Sequence, residues 1–310
     1  MLLFDGFSNM VLASAVEPLR AARDLSAEAP PFSWHLATLD GAPAVSSSGL
    51  ELRPDSALAE GGAFDALFLI SGYSVRRHAT PPVLRAIRRA ARKARVLGGL
   101  DMGAWLLAEA GLLTGYRATV HWQDLAAFEE RFLEVAASGE RFVIDRNHIT
   151  AGGASTVMTL MLTLIREAAG DALAYEVSNL FVYDVEGNYS RGRGARGGAL
   201  VKAPQLEQAI TAMRASVEEP LALPQIAEAA GLSPRSLDRL FHRELGLSPG
   251  RYYQMIRLNL ARSLAEETDL PVSEIAARSG FASSATLSRA FSQTFGRSLR
   301  ETRRLTRPAR

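Results

Sequence analysis

Apolar and polar positions along this 310-residue chain change rhythm once. Up to about Tyr183, short apolar runs alternate with stretches of helical period, the pattern of a mainly parallel sheet covered by helices. Leu2 to Phe4, Phe32 to Leu39, Ala66 to Ile70 and Arg95 to Gly99 read as strands. Val11 to Arg23, Pro82 to Ala94, Ala104 to Ala110 and Ser155 to Ala169 read as helices. Met1 falls where a buried strand would already be under way, so either residues precede it or the first strand is cut short. Beyond residue 203 the period is helical throughout. Leu206, Ala209, Ile210, Met213 and Val217 form one stripe, and Tyr253, Ile256, Leu260 and Leu264 mark a long helix over Tyr252 to Glu267.

One pattern occurs on both sides of that long helix. Ile226-Ala227, Gly231-Leu232, Leu237, Arg239, Phe241, Leu245-Gly246 and Ser248 return as Ile275-Ala276, Gly280-Phe281, Leu287, Arg289, Phe291, Phe295-Gly296 and Ser298. The offset is 49 before the turn glycine and 50 after it. Each copy predicts a helix that ends at a glycine and a second helix that starts at once, with Ser233 as N-cap and Pro234 at the first helical position in copy one. The buried stripe leaves Ser233, Arg235, Ser236, Arg239 and His242 outward in the first copy, and Ser283, Ser284, Ala285, Thr286, Ser288 and Arg289 in the second. Arginines and short hydroxyls on such a face suit a helix lying in a major groove. A stiff helix between two such units can hold them about 34 Å apart, one turn of DNA. The plain alternative is a helical bundle with solvated arginines, which has no need of the duplicated turn.

Charge follows the same division. Residues 1–190 hold 16 Lys and Arg against 22 Asp and Glu, leaving −6, while residues 191–310 hold 19 against 11, leaving +8 and the chain's net +2. The basic half is the half with the repeat, the footprint of a DNA-binding unit joined to an acidic partner. Gly192, Gly194, Gly197 and Gly198 alternate with Arg191, Arg193 and Arg196 in a linker composition, so the expected domains are 1–188, a linker 189–202, and 203–310. The apolar share of 47% gives each domain a core. The absence of cysteine excludes disulfides, thiolate-held zinc and a thiol nucleophile. No apolar run reaches the ~18 residues of a membrane span, and Asp5 stands where a signal peptide is basic, so the expected location is the cytoplasm, at the nucleoid.

The signature over Val272 to Phe281, with Ser288 to Phe291 and Phe295 to Ser298, resembles the AraC-type transcriptional regulators over the last hundred residues. It departs from them at Thr286-Leu287, where an aromatic is usual, and at Leu299, where proline usually follows the serine. In the first half, Val96 to Trp105 runs from an apolar strand through a turn flanked by small residues into a helix, the layout that lifts a nucleophile above a sheet edge. With Ala108 to Trp122, Ala15 to Arg20 and Ala151 to Gly153, it resembles the amidotransferase-like PfpI domain that is fused to AraC-type domains in the GlxA group. The resemblance implies an α/β, flavodoxin-like sensor sandwiched by helices, followed by an all-α reader with two helix-turn-helix units. It implies double-stranded operator DNA and a small-molecule effector as partners, RNA polymerase besides, and a homodimer through the N-terminal domain.

Enzymes of the PfpI fold carry a cysteine at the elbow, and here the elbow residue is Asp101, a far weaker nucleophile. No catalytic residue, metal or cofactor is therefore expected. The alternative class is an amidase or related hydrolase with a DNA-binding tail. Asp101, Glu17, His121 and the Trp122 indole instead suggest a recess for a cation at the carboxyl ends of the strands. The resemblance implies an amine or quaternary-ammonium effector such as betaine, carnitine or arginine. Each residue also has a structural reading: Trp122 as core, His121 as a satisfied histidine, Glu17 as a turn brace. Trp34 and Trp105 read as core.

Overall fold

The computed structural model describes residues 1–26, 32–60, 62–181 and 204–306. By their contacts these form two compact units: residues 1–20 and 32–164 in one, residues 21–26, 165–181 and 204–306 in the other.

The first unit is built on a seven-stranded sheet. Its strands are β1 (Leu2–Leu3), β2 (Ala37–Thr38), β5 (Ser56–Ala57), β6 (Phe64–Ser71), β7 (Ala94–Asp101), β10 (Phe142–Asp145) and β11 (His148–Ala151), in the order β10-β11-β7-β6-β1-β2-β5. Two short ladders stand apart, β3 (Ala44–Val45) with β4 (Glu51–Leu52) and β8 (Arg117–Ala118) with β9 (Ala136–Ala137). Every pairing in the large sheet is parallel except β10 with β11. Parallel strands covered on both faces carry near-continuous apolar runs, and β6 shows why. Leu67 and Leu69 enter the core shared with Ile87 of α2 (Pro81–Ala91) and Trp105 of α3 (Gly103–Glu109). Phe68 and Ile70 enter the opposite core, with Val11 and Ala15 of α1 (Asn9–Leu25) and Val157 and Met161 of α5 (Ala154–Ala169). The strand expected over Phe32 to Leu39 shrinks to Ala37–Thr38, and Trp34 is half-buried rather than core. A fourth helix, α4 (Leu125–Arg131), seats Phe128 against Trp105.

The second unit is helical. In chain order it holds α6 (Asp171–Leu180), α7 (Pro204–Ala215), α8 (Leu223–Ala229), α9 (Pro234–Leu245), α10 (Pro249–Glu267), α11 (Val272–Arg278), α12 (Ser284–Phe295) and α13 (Leu299–Thr306). The helix pairs α8–α9 and α11–α12 are the two predicted helix-turn-helix units. One core joins α6, α7, α8, α9 and the start of α10 around Phe241 and Tyr252, and a second joins the rest of α10 to α11, α12 and α13 around Phe291. The middle helix thus gives Tyr252 and Tyr253 to one core and Leu258, Ala261 and Ala265 to the other.

The linker expected at 189–202 lies outside the described residues. The helix before it behaves differently from the expectation that places residues up to 188 with the sensor. Ala172 and Tyr175 of α6 sit in the reader's first core, and Glu176 accepts a hydrogen bond from the Tyr252 hydroxyl while pairing with Arg214 at 3.1 Å. A reader cut at residue 203 would leave Tyr252 and Arg214 without that carboxylate and open the core at Tyr175. A fragment starting at residue 170 should therefore melt cooperatively, and at least ~5 °C above one starting at 203, in a thermal scan followed by circular dichroism.

The two turn glycines differ in surroundings. Both adopt left-handed backbone, φ 66° at Gly231 and 71° at Gly280. A β-carbon at Gly231 would meet open space, but at Gly280 it would lie 2.1 Å from the Val217 carbonyl oxygen. Arg257 of α10 also holds that turn, with Nε 3.0 Å from the Ser279 carbonyl and its guanidinium 4.2 Å over the Phe281 ring. Gly231→Ala should cost about 1 kcal/mol from backbone conformation alone. Gly280→Ala should cost at least about twice that, measured by urea unfolding, because the backbone must also move.

Candidate functional site

The first site is a cleft of about 550 Å³ at the carboxyl ends of the parallel strands. Its floor is the turn after β7. Asp101 has φ 58°, the left-handed region that aspartate tolerates better than most residues, and the turn is tight enough that a β-carbon at Gly103 would lie 2.0 Å from the Leu69 carbonyl oxygen. The elbow predicted from the Val96 to Trp105 pattern is therefore present, with Asp101 at its apex. Its side chain is nearly buried, at 9% exposure, and among the described residues no hydrogen bond or ion pair reaches its carboxylate. Burial, and secondarily the charge of Asp124, raise its pKa from 3.8 to about 7. Beside it in register lies Ser71, whose buried hydroxyl also lacks a partner among the described residues.

Of the four residues expected to form the recess, the structure brings two together. Asp101 and His121 both line the cleft. His121 caps a short 3-10 turn, its Nδ1 accepting from the Gln123 amide at 3.4 Å. Trp122 follows it in sequence, but its side chain is 74% exposed and the two rings are 5.8 Å apart; it flanks the cleft, not among the lining residues, and is not core. Glu17 is absent from the lining and is held by Arg20 at 2.7 Å on the next turn of α1. The sequence reading missed Asp124 and the arginines of the loop after β6. Arg76 pairs with Asp124 at 3.4 Å and lies 4.6 Å over the Trp105 ring, while Arg77 is exposed at the cleft. The available signal was positional: the loop after a central parallel strand borders the cleft at the switch point of an open sheet.

The second site is the pair of helices α9 and α12. Ser233 and Ser283 are N-caps, each accepting from the backbone amide three residues on, of Ser236 and Thr286 respectively, at 3.2 Å. Their hydroxyls also bond the Ser236 and Thr286 hydroxyls, at 2.9 and 3.0 Å, so these four groups brace the helix starts. Ser284 is half-buried. The exposed face runs at i, i+3, i+4 and i+7: Arg235, Asp238, Arg239 and His242 on α9, and Ala285, Ser288, Arg289 and Ser292 on α12. Asp238 was not expected there; it lies 3.4 Å from the His242 ring.

Two family models match this chain, the DJ-1/PfpI family over residues 1–167 and a helix-turn-helix domain over residues 226–305. The HTH-type transcriptional regulator GbdR of Pseudomonas aeruginosa is 37% identical over 297 residues, 95% of this chain and 81% of its own. The chain belongs to this family of transcriptional regulators. Regulators of this family join a DJ-1/PfpI sensor to an AraC-type reader, as the elbow and the repeat imply. A crystal structure of an AraC family transcriptional regulator from Pseudomonas putida is similar to 58% of this chain and 96% of its own, with 31% identity and a TM-score of 0.51. Part of the chain is also similar to an enzyme: isonitrile hydratase from Pseudomonas putida is 32% identical over 150 residues, 47% of this chain and 64% of its own.

The elbow's proton gives a measurable signature. A carboxyl whose pKa is higher folded than unfolded binds its proton more tightly in the native state, so this stabilisation is complete below about pH 4 and is lost as pH rises through about 7. Asp101→Asn keeps the shape and the left-handed backbone without the buried charge. The variant should match wild type in unfolding free energy near pH 4 and exceed it by a few kcal/mol, on the order of 4, at pH 8. Equal stabilities at both pH values would mean that the elbow carboxylate is solvated.

Proposed function

We propose that this chain is a one-component regulator in which a small cationic metabolite binds at Asp101 and two helices, α9 and α12, read successive major grooves of an operator. The observation that carries the effector reading is the Asp101 carboxylate: nearly buried, without a partner among the described residues, and at the carboxyl ends of parallel strands. Such a group favours a ligand that brings a positive charge and desolvates with it. Arg77 at the same cleft suits a carboxylate on the other end, which supports an effector of the betaine, carnitine or arginine kind. His121 and the exposed Trp122 indole flank that position, and Glu17 drops out of the effector set.

We read the protein as a non-enzyme, against the isonitrile hydratase similarity. The chain has no cysteine. The amide after an elbow nucleophile is the usual donor to an oxyanion, and here the Met102 amide already donates to the Ser71 carbonyl at 3.0 Å. A tail-bearing hydrolase of the PfpI kind would need both a thiol and that donor. Among the described residues no helix is long and apolar enough to cross a membrane, and the proposed place of action is the nucleoid. A homodimer joined through the sensor would present four reading helices to a two-fold related operator, within reach of RNA polymerase.

Calorimetric titration of wild type and Asp101→Asn with glycine betaine, carnitine, dimethylglycine and arginine tests the sensor. Affinity for the preferred compound should fall at least tenfold in the variant, with basal operator binding unchanged. Equal affinity, or tight binding of uncharged or anionic compounds alone, would sink the cation reading. Arg239→Ala and Arg289→Ala should each weaken operator binding by about 1 to 3 kcal/mol in a folded protein.

A further inference from the structure

We propose that the two reading helices are not equivalent: Arg235 of α9 reads a guanine, while Ala285, at the same place on α12, reads a thymine methyl group. The operator is then two unlike segments on one face of the duplex.

The duplication makes the comparison position by position. Both helices begin at a serine cap with the same bonding, both bury a leucine at the fourth position and a phenylalanine at the eighth, and both end at a left-handed glycine. Residues 50 apart therefore occupy the same point on the two surfaces. The shared element of the exposed face is arginine, Arg239 and Arg289. Neighbouring positions diverge in chemistry and in reach. The first helix offers Arg235, Asp238 and His242, all long or charged. The second offers Ala285, Ser288 and Ser292, all short.

Reach decides how each helix can work. An arginine in the first turn meets the O6 and N7 acceptors of a guanine from a distance, and a carboxylate beside it accepts from a cytosine amine. An alanine or serine side chain touches a base edge only if its helix lies close to it. At that closeness the apolar partner of an alanine methyl in the major groove is the 5-methyl of thymine. A bulky residue at 285 would prevent the approach. The arginine shared by the two copies then contacts one guanine in each segment, and the neighbours separate them: a G·C-rich segment under α9 and a thymine-bearing segment under α12.

The test uses the full-length protein. Selection from random duplex DNA should enrich two blocks whose centres lie about 10 bp apart, each with a guanine and only one with a required thymine. Thymines in the selected duplex are then replaced singly by deoxyuridine, which removes only the methyl. One replacement should weaken wild type about fourfold, the equivalent of one buried methyl, and should leave Ala285→Gly and Ala285→Ser unaffected. Arg235→Ala should lose about tenfold on the other block and its guanine requirement there, with no change in the uracil effect. Both side chains are exposed, and a thermal melt confirms that each variant is folded; the serine variant guards against helix weakening by glycine. Two blocks of identical bases, or a uracil effect that persists in both Ala285 variants, would overturn the inference while leaving DNA reading intact. Failure to enrich any sequence would overturn both.

Discussion

The spacing of the two reading helices depends on one element, the 19-residue α10, being buried at both ends in different cores. A helix of that length spans about 28 Å, and a helix anchored at one end only would let the second unit swing. Here the first two turns carry Tyr252 and Tyr253 into the first core, and the last turns carry Leu258, Ala261 and Ala265 into the second. Small residues on the later turns let α11 and α12 approach closely, and Arg257 ties the intervening turn to the helix through two backbone carbonyls. The separation of the heads is thereby a property of packing. That is what the proposed reading of two grooves requires, since DNA fixes the distance to be met.

The sensor cleft rests on a different economy. Its sheet is covered on both faces, so the polar chemistry is confined to the loops at the strand ends, where backbone turns sharply and Asp101 is held in left-handed conformation. The close packing of Gly103 on the Leu69 carbonyl forces the helix after the elbow down onto the sheet and the Asp101 side chain up into the cleft. Ionised, the buried carboxylate, unpaired among the described residues, costs the folded state stability, and groups of that kind concentrate at sites of binding.

Much of this was legible in the sequence, and the reasons for the misses are physical. The helix-turn-helix units were readable because duplication supplies an internal control: the same glycine, leucine and phenylalanine spacing recurring after 49 or 50 residues has no other economical origin. The elbow was readable because a parallel strand followed by small residues and a helix has few geometries. The helix α6 was not readable as part of the reader. Its apolar residues predict a helix with a buried face, but periodicity is silent about which core receives that face, and Glu176 marks the choice only once Tyr252 and Arg214 are seen around it. The strand over Phe32 to Leu39 failed for a similar reason: alternating apolar residues favour extended backbone, yet only Ala37 and Thr38 find ladder partners. Glu17 and Trp122 were assigned by charge and aromatic character. A salt bridge to Arg20 satisfies the first, and the 3-10 turn at His121 directs the second outward. Asp124 and Arg77 come from loops about fifty residues apart, a juxtaposition that only the tertiary fold creates.

Burial raises the pKa of the elbow carboxyl to about 7, and this gives the cleft a second variable. On the proposed reading, a cation that pairs with the ionised Asp101 carboxylate displaces its proton, up to one proton per ligand well below about pH 7. Apparent affinity for such a cation would then climb with pH by up to tenfold per unit on the acid side of that value and level off above it. A sensor built this way would respond to the ratio of effector to protons, and acidification would weaken its response at a constant supply of metabolite.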